Sequence, residues 1–141
     1  MTRLQLKKVG FDTNPEINKC RASVQLSLGA RDFTAYFETD CEQSPLSVIA
    51  TATFMAIQSM LNIACQAKIN FKLQVAEELQ PLFLQRSLFI VIVEIETNAI
   101  SVRATGAVMA KHEDNHRAVA AAALDATNRL VHHLLTLHEC K

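Results

Sequence analysis

The chain carries the same pattern twice, and that repetition constrains its fold more than any other feature. Val24, Leu26, Leu28, Phe33, Ala35 and Phe37 align with Val91, Val93, Ile95, Ile100, Val102 and Ala104 at a constant offset of 67. Leu4 and Leu6 align with Phe71 and Leu73 at the same offset. Ala50, Ala52, Phe54, Ala56 and Met60 then align with Ala120, Ala122, Leu124, Ala126 and Leu130 at an offset of 70, so three extra residues (70 − 67) are expected before the second helix. The copies span about residues 3–64 and 69–137. Each has one apolar face that it cannot bury alone, and the other copy is the nearest cover. The 141 residues are expected to make a single domain.

Periodicity supplies the elements. Residues 3–11 read as a strand, with Leu4 and Leu6 on one face and an irregularity before Val9 and Phe11. Ala22, Val24, Leu26 and Leu28 alternate with Ser23, Gln25 and Ser27, the mark of a half-buried strand. Gly29-Ala30 turns it into residues 31–39, where Phe33, Ala35 and Phe37 face inward, which makes a hairpin. Ser44 suits an N-cap and Pro45 a first helical position; apolar residues from Leu46 then recur at helical spacing to about Ala64. In the second copy Ile69, Phe71, Leu73 and Val75 share a face, and Pro81-Leu82-Phe83-Leu84 is an unusually apolar loop. Phe89-Ile90-Val91-Ile92-Val93 is apolar on both faces, as in a strand covered from two sides. After Asn98-Ala99 and a strand over residues 100–109, the last helix starts near Asp114 or Asn115 and runs to about Leu137. The order is β-β-β-α twice, an α+β fold of antiparallel sheets with two long helices packed on one face.

That last helix has an apolar face wider than one sheet contact requires, with Ala122, Ala126 and Leu130 in its stripe. Either it is deeply set in the chain's own core, or it is shared with a second subunit; we take the second. Half of the residues are hydrophobic and a fifth charged, an apolar excess that also predicts a homodimer. Its interface is expected at Leu82, Phe83, Ala122, Ala126 and Leu130.

Charge narrows the partners. Fourteen basic and fourteen acidic residues cancel, which argues against nucleic acid, since that binding rests on Lys and Arg neutralising phosphates. No charge lies between Glu42 and Lys68, yet Ser47, Thr51, Thr53, Gln58, Ser59 and Asn62 interrupt the stretch, so it is not expected to span a membrane. The amino terminus alternates like a strand and lacks a signal peptide's long apolar centre. Cys20, Cys41, Cys65 and Cys140 are scattered without a C-x-x-C pair and read as reduced thiols of a cytoplasmic protein.

Little in the sequence points to catalysis. His112-Glu113-Asp114-Asn115-His116 spells H-E-x-x-H, in which two histidines on one helix face hold zinc and the glutamate activates water. Here Asp114-Asn115 is capping material that interrupts the helix between the histidines. His132, His133 and His138 begin sixteen residues further along, at least about 24 Å away, so none supplies a third ligand. No catalytic residue, resident metal or cofactor is assigned; a zinc hydrolase stays as an alternative. His132-His133 near a helix end suits the dipole there, and Cys41 lacks a histidine partner. Gly10, Gly29 and Gly106 are the only glycines, too few for a phosphate-cradling loop. The equivalent loops 40–47 and 111–117 both lead into helices. If the copies pack about a pseudo-two-fold axis, the two helix starts become a carboxylate site with Ser44, Ser47, His112, Asp114 and His116 around it.

Ala123-Leu124-Asp125-Ala126-Thr127-Asn128-Arg129-Leu130 resembles the alanine-rich final helix, with its ALNRL-like ending, of the carboxy-terminal regulatory domain of isopropylmalate and citramalate synthases. Arg21-Ala22-Ser23-Val24-Gln25-Leu26 is similar to that domain's second strand, and the duplicated β-β-β-α order extends the likeness as a pattern over nearly the whole chain. The family's G-x-G-P-V-D-A segment is here Thr39-Asp40-Cys41-Glu42-Gln43-Ser44-Pro45-Leu46-Ser47, which keeps only the proline, and the synthase's catalytic barrel is absent. The resemblance implies a dimeric, non-catalytic domain that senses a small metabolite, such as a branched-chain amino or keto acid. A purely structural protein–protein module is the alternative.

Overall fold

The computed structural model describes residues 4–66, 68–80, 85–98 and 100–139, with the side chains of the last helix as far as Thr136. Its elements are β1 (Leu4–Asn14), β2 (Lys19–Leu28), β3 (Arg31–Asp40), α1 (Pro45–Ala64), β4 (Asn70–Leu79), β5 (Ser87–Glu96), β6 (Ser101–Ala110) and α2 (Asn115–Glu139), with a 3-10 turn at His112–Asp114 before α2. They form two antiparallel sheets, β1-β2-β3 and β4-β5-β6. The fold is the α+β duplication expected from the pattern.

The first two strands of each sheet are paired identically. Leu6 pairs with Leu26 and Lys8 with Gln25, which leaves Lys7 as a bulge. Leu73 pairs with Val93 and Val75 with Ile92, which leaves Gln74 as a bulge at the same offset of 67 (74 − 7). The irregularity expected before Val9 is this bulge. Its counterpart corrects one expectation: Val75 does not share the inner face of Phe71 and Leu73, because one inserted residue reverses every later side chain. Ala76 is the buried residue there.

The third strands need a second correction. Val24 pairs with Ala35 and Val91 with Gly106, so β6 matches β3 at an offset of 71 (106 − 35) rather than 67. Leu28 and Arg31 are joined by Gly29-Ala30, with Gly29 at φ 63°, whereas their equivalents Ile95 and Val102 have six residues between them (96–101). The insertion lies in that hairpin, not before the helix. A slip of four leaves every residue on its own face, so alternation alone does not reveal it.

Each helix lies on the inner face of its own sheet and reaches the edge strand of the other: α1 packs on β2, β3 and β4, α2 on β5, β6 and β1, and the helices touch. Both run antiparallel to β1 and β4, so their amino termini lie at one end of the molecule. One core joins both halves, with Leu26, Ile49, Ile57, Met60, Leu61, Phe89 and Val119 fully enclosed. α1 is long and apolar enough to cross a membrane, but ten of its residues are buried against the sheets and α2. Thr53 sits in the core without cost because its hydroxyl donates to the Ile49 carbonyl at 2.8 Å.

One residue expected at an interface on α2 is not on the surface. Ala122 is 0% exposed and belongs to the chain's own core, where no surface is left for a second subunit. Ala126 and Leu130 are half-buried beside it. Leu82 and Phe83 lie outside the described residues.

Candidate functional site

The parallel helices bring the five residues expected around the helix starts to one end of the fold, but each has its own surroundings. Ser44 occupies the N-cap position of α1, where its carbonyl accepts from the Val48 amide at 3.1 Å; its hydroxyl makes no capping bond. Ser47 is half-buried on the first turn, and its carbonyl accepts from the Thr51 hydroxyl at 2.8 Å. Asp114 is exposed on the 3-10 turn, with its amide donating to the Lys111 carbonyl at 3.0 Å.

The two histidines of the H-E-x-x-H string are directed to different partners. His112 Nδ1 lies 2.7 and 2.9 Å from the carboxylate oxygens of Glu78 on β4. The His116 ring is tilted against Phe11 on β1, with centroids 5.4 Å apart. The 3-10 turn separates them, so they do not share a helix face. Among the described residues no group of three His, Cys, Asp or Glu side chains could hold a metal ion.

Glu78 is the inner-face residue at the end of β4, opposite Phe89. Burial pushes its carboxyl up, but hydrogen bonds from Ser87 and His112, the His112 charge and Gln80 outweigh that and hold it below the ordinary range. Its carboxylate in turn raises His112 through their hydrogen bond and charge. The same position in the first copy is Phe11, so one half closes its end with an ion pair and the other with an aromatic contact.

A second concave feature lies beside α2. Where α2 meets the edge strands β1 and β6, Leu4, Gln5, Leu6, Val108, Arg117, Ala121, Leu124, Asp125 and Asn128 line a groove of about 650 Å³. Arg117 Nη2 donates to the Leu6 carbonyl at 3.0 Å and Nη1 reaches the Lys7 carbonyl at 3.5 Å. The Asp125 carboxylate accepts from the Ala107 amide on β6 at 3.1 Å. Both charges are anchored to edge-strand backbone and retain unused capacity, since a guanidinium has five N–H donors and a carboxylate two acceptor oxygens. Leu4, Leu6, Val108 and Leu124 supply an apolar wall beside them.

The pseudo-equivalent groove, between α1 and β4, is nearly closed. It is lined by Thr51, Phe54, Met55, Gln58, Phe71 and Leu73 and holds only about 60 Å³. Phe54 stacks on Phe71 there, with centroids 5.5 Å apart and planes 18° apart. At the helix offset of 70, Phe54 corresponds to Leu124, Met55 to Asp125, Gln58 to Asn128 and Ser47 to Arg117. From the sequence alone, the groove residues Arg117, Asp125 and Asn128 receive no role in binding. The signal that singles them out is the residue-by-residue comparison of the copies: the second becomes charged where the first stays uncharged. The chain matches no known protein-family model and no curated protein.

Proposed function

We propose that this protein is a non-catalytic module that binds a small carboxylate-bearing metabolite in the groove between α2 and strands β1 and β6. The observation that carries this reading is the inequality of two grooves that the duplication makes equivalent. The α1 groove is filled by stacked aromatics, whereas its α2 counterpart is open and bears one cation, one anion and an amide beside leucines. Arg117 suits a carboxylate, Asp125 an amine, and the leucine wall a branched aliphatic chain. Branched-chain amino acids and their keto acids fit this lining, and Asp125 favours the amino acid. The resemblance to synthase regulatory domains supports the same class, and free Cys20, Cys41 and Cys65 agree with work in a reducing cytoplasm.

Thermal unfolding in the presence of leucine, isoleucine, valine and their keto acids tests the proposal. A ligand at a hundredfold excess over its Kd stabilises the folded state by about 2.7 kcal/mol. The expected result is an upward Tm shift with at least one compound in wild type, lost in Arg117→Met. No shift with any compound, or an undiminished shift in Arg117→Met, would overturn it.

A further inference from the structure

We infer that the outer face of the β4-β5-β6 sheet is where two copies of this chain associate, sheet against sheet. The inner face of that sheet is covered by the helices. On the other side Leu88, Ile90 and Ile92 run down β5, flanked by Val75 and Leu79 on β4 and Met109 on β6. They stand in rows, because Ile92 pairs with Val75, and Leu88 pairs with both Leu79 and Met109; between these rows Ile90 continues the apolar line of β5, with Glu77 and Ala107 as its neighbours. Leu79 and Met109 are 45% and 41% exposed.

The first sheet is an internal control. At the equivalent outward positions it carries Arg21, Ser23, Gln25, Lys8, Asp12 and Glu38. Both sheets use the same pairing and the same bulge, so the monomer fold does not require the apolar set. A contiguous apolar sheet face left in water marks a contact surface.

Area and shape select a second copy as the cover, and the small net charge of the face permits it. Three strands about 4.8 Å apart and ten residues long present about 500 Å². Two copies face to face therefore bury about 1,000 Å², just the area that an interface between subunits should clear. The charges on this face nearly cancel: Lys72 and Arg103 stand against Glu77, Glu94 and Glu96, a net charge of −1 (2 − 3), with Lys72 and Glu96 already 3.9 Å apart. Repulsion between two such faces is therefore weak and is screened by salt. Sheets of identical twist also pack aligned at about 10 Å separation, the geometry that fills a layer of interdigitated side chains.

Sedimentation analysis of the full chain tests this. The expected particle has twice the 15.6 kDa chain mass. Ile90→Ser with Ile92→Gln installs the residues that the first sheet bears at these positions; it should stay folded by circular dichroism and raise the dimer Kd at least about thirtyfold. Leu79→Asp with Met109→Glu, at more exposed sites, should do the same and serves if the first pair unfolds. Thr34→Lys, on the outer face of the first sheet, should leave the dimer intact. A wild-type monomer, or a dimer that survives in a folded variant of either pair, overturns the inference.

Discussion

Gly106 on β6 lies directly against the backbone of α2 at Ala122. A Cβ at Gly106 would stand 1.9 Å from the Ala122 carbonyl oxygen and 2.5 Å from the Ala126 amide nitrogen. The obstruction is main chain, which cannot rotate aside. The matching residue of the first sheet is Ala35, so the missing methyl lets α2 approach its sheet at this level more closely than a side chain permits. Gly106→Ala should therefore lower stability by about 3 kcal/mol, measured by chemical denaturation. Gly10→Ala should cost no more than about 1 kcal/mol, because its nearest obstacle is the rotatable Ser23 Oγ at 2.6 Å and its counterpart is Glu77. Equal effects of the two substitutions would contradict this account.

Grafting the closed groove onto the open one separates ligand binding from fold. Leu4→Phe with Leu124→Phe places in the α2 groove the two aromatic residues that stack as Phe71 and Phe54 in the other half. The chain already accommodates that pair, so the variant should fold with a Tm near wild type. It should show no ligand-induced Tm shift and no heat of binding by calorimetry. Retained binding would place the ligand elsewhere.

The sequence was most legible where local pattern and burial coincide. Strict alternation in β2 and Pro45 after Ser44 located elements almost to the residue, and the hydrophobic offset of 67 anticipated the pairing of four strands. The failures share a cause. A period of two is blind to even slips, so the longer second hairpin went unseen and β6 was aligned four residues off. A bulge needs no residue signature of its own, hence the misplaced face of Val75. The wide apolar stripe of α2 read as surplus, yet Ala122 is spent within the core because Gly106 admits the helix. Ile90 and Ile92 led to the expectation of a β5 covered on both sides, but the helices cover only its inner face and the outer face is open. The α2 groove was illegible because Arg117 and Asp125 act against backbone from β1 and β6, distant in sequence.

Thiol reactivity should sort by burial. Burial pushes the Cys20 thiol up, with the neighbouring Cys41 adding to it, and burial alone does the same for Cys65. Both are nearly inaccessible, whereas Cys41 is half-buried before α1. In a Cys140→Ser background, native protein should give one fast-reacting thiol with an aromatic disulfide reagent, and Cys41→Ser should remove it. Fast reaction of Cys20 or Cys65 would show that the core opens readily.

Stability should also respond to pH through Glu78 and His112. His112 titrates above its ordinary value of 6.5 in the folded state, so its contribution is complete below about pH 6.5 and fades as pH rises through the raised value. Glu78 titrates below its ordinary 4.5, so its contribution is complete above about pH 4.5 and fades as pH falls through the lowered value. The two conditions overlap near pH 5.5, where the pair is fully charged and its 2.7 Å contact strongest. Urea unfolding of wild type should therefore give greater stability near pH 5.5 than near pH 8, after subtraction of the same difference in His112→Gln, which retains a donor but does not titrate. Because His112 is largely solvent-exposed, the difference should shrink in high salt. A slope unchanged by His112→Gln would assign the pH response to other groups and reduce the Glu78 contact to a neutral hydrogen bond.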